Sequence, residues 1–379
     1  MTYSNGQHPT VDFDLHGLVG VRLIGATQRE VNAVGRQLGP IQRPLNRDPD
    51  ITIRFVDRLT TSSPLRYLGV DDAAFTDDAF LVLRSKHKAR AKVQIPFEQI
   101  GGPCEIVCER GLPAVPLLIP IINLTVLSKG ALPLHAAAFN YKGVGVLATG
   151  WSKGGKTETL LSFTSHGAEY VGDEWIYLTA DGSTMYGIPE PLHIWDWHFE
   201  HLPHYWKLTK PSERIRIRAV QLMARVAERV LPAKIRPRVL PLIKGQLFVH
   251  MPPQRLFGQR ITPMTGRPEL LIFVASHETP DITIKPIDPQ ELAQRMVFSL
   301  QEERMPFMSY YWKFRFAFPE RSNAFIEGCE VLEREVLSRV FANKQTFAVY
   351  HPYPFAIPRL FDTISPLLNE AVDTTASHR

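Results

Sequence analysis

Apolar and polar residues alternate in short runs through the first hundred positions. Runs at 18–23, 51–55, 80–84 and 105–108, set apart by clusters of turn-forming residues, predict β-strands, and 28–38 reads as a helix. These elements make residues 1–112 a small, mostly β amino-terminal domain with no evident chemistry. The pattern then changes. A helix is predicted over about 116–129, followed by apolar strands at 134–139 and 144–149. Their connection, Asn140-Tyr141-Lys142-Gly143, has the composition of a tight hairpin. A glycine-rich loop, a short helix to about His166 and a strand at 169–171 come next. A second hairpin, 175–178 with 184–187, turns at Asp181-Gly182. A strand at 270–274, helices over 289–303 and 322–341, and a last strand (346–350) and helix (358–368) complete a second domain, 113–368. Strands and helices mixed in this way place the fold in the α/β (α+β) class.

The chain of 379 residues has room for two such domains. Its tail, 369–379, is expected to be disordered. Residues 1–7 are polar and are not a basic region leading into an apolar one, so no secretory signal is expected. The most apolar stretch, 112–127, is broken by Pro113, Pro116 and Pro120 and falls short of the roughly 20 residues that a bilayer span needs. Cys104 and Cys108, four apart on a predicted strand, lie roughly 13 Å from each other, beyond disulfide reach. With Cys329 the cysteines are three, which suits a reducing cytoplasm. The net charge of +5 is concentrated in one place. Between Lys207 and Lys244 eleven Lys and Arg face two acids, Glu213 and Glu228, so the remainder of the chain is acidic.

The candidate chemistry begins at Gly150-Trp151-Ser152-Lys153-Gly154-Gly155-Lys156-Thr157, which matches G-x-x-x-x-G-K-[ST], the Walker A phosphate loop. Backbone amides must converge on phosphate oxygens there, and glycines let the chain bend and approach closely. The helix opening near Lys156 points its partial positive charge at the same anion. Lys156 would reach the β and γ phosphates and the Thr157 hydroxyl would ligate Mg²⁺. An apolar strand leads in and a helix leads out, as that mechanism requires; a glycine-rich turn without a ligand is the competing reading.

The helix after the loop is roughly 15 Å long. The chain then returns as a strand parallel to the first, whose end carries Asp173 and Glu174 to the phosphate side on adjacent strands. Two carboxylates there suit Mg²⁺ binding and proton abstraction from a hydroxyl; a solvated turn acid is the alternative. The hairpin at 140–143 sets His135 opposite residues near Thr149 and Gly150, flanking the loop. A satisfied core histidine is the plainer reading of that residue.

Leu134-His135, 143–147, Gly150-x-Ser152, 155–159, His166-Gly167 and Asp173-Glu174 together resemble the catalytic domain of HPr kinase/phosphorylase and the related peptide-serine kinases of lasso-peptide gene clusters. The resemblance is specific over 134–174, looser over 115–281, and visible again over 347–368. The amino-terminal domain is more similar to the β-rich one of the lasso-type kinases. The resemblance implies a fold akin to phosphoenolpyruvate carboxykinase, with a mixed twisted sheet. It implies Asp173 as general base, His135 beside the reaction centre, and Thr157 with Glu174 as Mg²⁺ ligands. Two departures stand out. Glu174 occupies the place of the family's usual second Asp, and no Glu-Ile-Arg-Gly segment follows the acidic pair. The second removes the support for phosphorylase activity and for HPr as substrate.

The expectation is therefore a cytoplasmic, ATP- and Mg²⁺-dependent kinase, binding nucleotide through Gly150, Ser152, Lys153, Gly154, Gly155, Lys156 and Thr157. Its acceptor would be a hydroxyl, a serine of a peptide or protein. The alternatives are a nucleotide-binding regulatory module or slow ATPase without phosphotransfer, and a small-molecule kinase. Residues 193–204 crowd four histidines among aromatics. They line an acceptor pocket in one reading and hold zinc in another, although Pro203 interrupts the helix that would align His198 with His201. The basic segment, within an insertion at about 196–245, reads as a solvated helical face or as a contact for an acidic peptide or a membrane surface. It lacks the signatures of nucleic-acid binding. Oligomeric state stays open.

Overall fold

The computed structural model describes residues 10–39, 41–70, 72–84, 90–261, 263–353 and 357–376. Residues 1–7, where no signal was expected, lie outside the described residues.

The amino-terminal part, 11–109, is built on one mixed sheet. Strands β1 (Val11–Leu15), β2 (Val19–Ile24), β3 (Ile51–Val56), β4 (Arg66–Leu68), β5 (Ala73–Phe75), β6 (Phe80–Arg84), β7 (Arg90–Gln94) and β8 (Cys104–Glu109) pair in the order β1-β2-β3-β8-β7-β6-β5-β4. Helix α1 (Gln28–Leu38) starts at a capping box in which Glu30 answers Thr27. The four predicted strands and the helix are present. The three-residue strands β4 and β5 carry too little alternation to be read from the sequence, whereas β1 (Val11-Asp12-Phe13-Asp14-Leu15) and β7 do alternate and add to the four expected strands. The three cysteines are buried free thiols, and burial pushes Cys104 up to about 12.

The remainder of the chain is built on α2 (Leu118–Ser128), β9 (Leu132–Tyr141), β10 (Val144–Thr149), α3 (Lys156–Thr164), β11 (Glu169–Gly172), β12 (Trp175–Leu178) and β13 (Met185–Gly187). A ribbon of β14 (Leu192–Trp195) and β15 (Phe248–Met251) then encloses α4 (His198–His201), α5 (Pro203–Trp206), α6 (Pro211–Val230) and α7 (Arg236–Lys244). After α8 (Pro253–Phe257) come β16 (Thr265–Gly266), β17 (Pro268–His277), β18 (Thr283–Pro286), α9 (Pro289–Ala317), α10 (Ala324–Phe341), β19 (Gln345–Pro352) and α11 (Ile357–Ala376). The sheet runs β16-β13-β12-β9-β10-β17-β19-β18, with β11 on the same edge of β9 as β12. Strands β10, β17 and β19 are parallel to one another; the remaining pairings are antiparallel. The fold is thus α+β with mixed sheets. Among the described residues no helix is long and apolar enough to cross a membrane.

Two predicted helices are longer than expected. The 289–303 helix continues to Ala317, through Pro306. A proline inside a helix costs about 3 kcal/mol. Burying Phe307, Tyr311 and Phe314 against Phe80 of β6 and Phe97, on the turn between β7 and β8, returns more, at roughly 1.5–3 kcal/mol per large side chain. One hydrophobic cluster therefore joins the first sheet to α2, α9 and α10. Helix α11 likewise runs to Ala376, past the start of the expected disordered tail, because extending an established helix costs little. Residues 377–379 lie outside the described residues.

Candidate functional site

The loop 150–157 leaves the carboxyl end of β10 and enters α3 at Lys156. Beside it end β17 and β19, so the loop lies where three parallel strands open a crevice. Gly150 (φ 154°) and Gly155 (φ 111°) hold backbone conformations that favour glycine, and Lys153 adopts one at φ 63°. A Cβ on Gly150 would stand 2.4 Å from the Val274 carbonyl oxygen, and one on Gly154 2.9 Å from the same atom. Ser152 and Lys153 lie exposed at the tip, whereas Gly155 and Lys156 are buried. Lys156 Nζ donates to the carbonyls of Trp151 (3.0 Å) and Gly150 (3.4 Å). Burial pulls its pKa down, against the charges of Glu174, Asp173, Glu303 and Glu158. Helix α3 begins without a side-chain cap, so its first-turn amides offer an anion site.

Asp173 is buried beside that turn. The Thr157 hydroxyl lies 3.1 Å from both of its oxygens. Burial, reinforced by the charge of Glu174, pushes the Asp173 carboxyl up to about 7, despite the Thr157 hydrogen bond and Lys156. The expected route to this position needs correction: β11 runs in the direction of β10 but is not its neighbour, because β9 lies between them. Antiparallel β9 takes β11 and β12 in succession along one edge, and Asp173 and Glu174 form the joint between them. Glu174 sits at φ 76°, which interrupts the strand alternation and lets consecutive acids address different partners. Glu174 Oε2 accepts from His135 Nε2 at 3.0 Å, and Asp173 alone meets Thr157.

His135 is neither a bystander nor a plain core residue. Its pairing with Trp175, one step past the pair Ala136 and Thr149, puts it at the root of the loop as expected. Its other nitrogen, Nδ1, lies 2.7 Å from Glu303 Oε1 on α9. Burial works against the charged ring, yet the bonds to Glu174 and Glu303 outweigh it and raise the His135 pKa. The ring thus lies between two carboxylates, its Nε2 hydrogen-bonded to Glu174 and its Nδ1 within ion-pair distance of Glu303. The same pairing holds the Glu174 pKa down.

Several participants escaped the sequence. Glu303 lies on the face of α9 that buries Leu292, Met296, Ser299, Leu300 and Phe307. A carboxylate at a core position of an amphipathic helix was the available signal. From the same face, Ser299 Oγ donates to the Gly150 carbonyl at 3.3 Å. His351, buried at the end of β19, donates from Nε2 to the Gly154 carbonyl at 2.8 Å. Between them these two hold the loop backbone from behind.

The histidine-rich stretch divides. His198 is buried, accepts the Trp195 amide at Nδ1 (3.2 Å) and donates from Nε2 to Glu158 on α3 (3.0 Å). Both nitrogens are occupied, which ties this stretch to the loop helix and leaves His198 no lone pair for zinc. Among the described residues no group of three or more His, Cys, Asp or Glu is arranged to hold a metal ion. In comparisons with known proteins, no family model and no curated protein matches the chain.

Proposed function

We propose that the chain is an ATP- and Mg²⁺-dependent kinase that phosphorylates a hydroxyl, a serine of a peptide or protein. We take it to be akin to the HPr kinase-like P-loop kinases and their phosphoenolpyruvate carboxykinase-like fold. The observation that carries this reading is Asp173: a buried carboxyl, titrating near neutrality, fixed by the hydroxyl of the residue that follows the motif lysine. A general base works best when its pKa lies near the operating pH.

The residues present suit the nucleotide and the metal. The uncapped turn of α3, the left-handed loop backbone and Lys156 together make a cradle for an anion. Thr157 and Glu174 are the hard oxygen donors that Mg²⁺ prefers, which leaves Asp173 to act as the base. When bound, the metal supplies neutralisation of phosphate charge. Asp173 accepts the proton of the incoming hydroxyl. Lys156, buried beside the loop, offsets negative charge there, and His135, between Glu174 and Glu303, holds the neighbouring acid in place. Positioning and electrostatics account for most of the acceleration in such transfers. In this reading residues 193–204 line the acceptor side; the bond from His198 to Glu158, which ties them to α3, supports it.

Incubating the full chain with γ-labelled ATP, Mg²⁺ and serine-containing peptides or proteins tests this. Label on a serine is the expected result. Label on a small alcohol moves the assignment to a small-molecule kinase, and label recovered only as free phosphate overturns it in favour of a slow ATPase.

A further inference from the structure

Helix α6 has two apolar faces, and the fold uses only one of them. Ile217, Val220 and Ala224 are buried against the rest of the insertion and the ribbon around it. On the other side Ile215, Leu222, Met223, Val226 and Val230 recur at helical spacing and stand in solvent, with exposures of 68%, 60%, 53%, 50% and 73%. Helical geometry sets Arg218, Arg225 and Arg229 in a row along one edge of this stripe, all three exposed. The acids of the segment are turned away and occupied. Glu213 accepts the Lys210 amide at the start of α6, and Glu228 pairs with Lys244 of α7 at 2.8 Å. Among the described residues Arg218, Arg225 and Arg229 have no ion pair, although Arg218 lies over the Trp206 ring. Helix α7 packs alongside and adds Leu242, 72% exposed.

We propose that this outer face of α6 docks on an anionic lipid surface, its aliphatic stripe at the level of the upper acyl chains and its arginines on the phosphates. A row of exposed aliphatics edged by cations on one helix is the pattern of an interfacial helix, lying in the plane of the membrane without crossing it. Arginine suits the edge, since its stem covers apolar surface while its guanidinium reaches a phosphate. A second copy of the chain fits less well, because an antiparallel two-fold contact on this face would set the two arginine rows side by side with like charge. An acidic peptide fits less well too, for the stripe is the convex side of a helix about 30 Å long and is not a groove.

The test is sedimentation of the full chain with vesicles of phosphatidylcholine alone and vesicles that also contain phosphatidylglycerol. The expected result is binding to the second kind only, weakening as salt rises. Replacing Arg225 and Arg229 by Gln should lower partitioning about twenty-five-fold, at about fivefold for each arginine. The pair Leu222→Gln and Val226→Gln should abolish it, with an unchanged melting temperature showing that these exposed positions leave the fold intact. Equal binding to both vesicle kinds, or binding insensitive to the Leu222 and Val226 changes, overturns the proposal. So does a dimer that those changes dissociate, or capture of a soluble acidic peptide without vesicle binding.

Discussion

The floor of the loop and the outer face of α6 are both rich in charge, and they dispose of it in opposite ways. Around residue 173 the charged groups lie mostly in the interior and answer one another: Asp173 meets Thr157, Glu174 and Glu303 hold His135, and Lys156 rests on loop carbonyls. Along α6 the arginines face water beside unburied aliphatics. Buried charge is retained only where partners offset its desolvation, and so it is expensive and positioned. Exposed charge costs the fold little and becomes useful through something outside it. The first region therefore points to chemistry and the second to a surface.

The sharpest way to break this comparison is at Lys156. Lys156→Ala should lower kcat/KM for phosphotransfer by about 10²–10³-fold, the usual loss for one group at developing charge, with ATP affinity falling too. A Lys156→Ala protein with normal steady-state kinetics would put the loop outside the reaction. Glu303→Gln comes next, with an expected loss of roughly tenfold, the scale of a hydrogen bond to a charged group. It should also lower the His135 pKa, visible in an NMR titration of the ring. The raised folded-state pKa of His135 contributes stability that is complete below the ordinary value of 6.5 and is lost as pH rises through the raised value. In Glu303→Gln that pH-dependent part should shrink. A change in rate without movement of the His135 titration would separate Glu303 from this role.

His351 offers a smaller effect. Removing its bond to the Gly154 carbonyl should weaken ATP binding about fivefold, near the worth of one hydrogen bond, and His351→Gln should recover part of it where His351→Ala does not. Calorimetric titration with ATP reads this. Smallest of all, Leu222→Gln with Val226→Gln should leave phosphotransfer to a soluble acceptor unchanged within about twofold, since surface substitutions away from special features change little. A large loss there would show that the two regions are not separate.

Legibility followed the same division. The loop, its flanking strand and helix, and the hairpin that places His135 were readable because each is local: a motif, a turn, a periodicity. Asp173 was placed at the loop by a local argument that was wrong about its neighbour, since nothing near residue 170 reports that β9 would come between β10 and β11. Glu303 and His351 lie about 170 and 200 positions from the residues they touch, and no local pattern could pair them. Helix α9 ran past Pro306 because contacts with Phe80 and Phe97, remote in sequence, hold it. The basic stretch was visible as composition. Which of its apolar residues face outward was not, because Val220, Met223, Val226 and Val230 share a helical spacing, and only packing against remote residues buries the first and leaves the others exposed.

Asp173→Asn tests the central claim most directly, with ATP affinity, phosphate transfer to a serine acceptor and thermal stability measured on the same sample. Because the folded-state pKa of Asp173 is raised to about 7, the carboxylate opposes folding increasingly as pH climbs from about 4 towards 7. The expected protein binds ATP, melts higher than the wild type at pH 8 but not at pH 4, and transfers phosphate at least about 10³-fold more slowly. Transfer at the wild-type rate by Asp173→Asn would contradict the account.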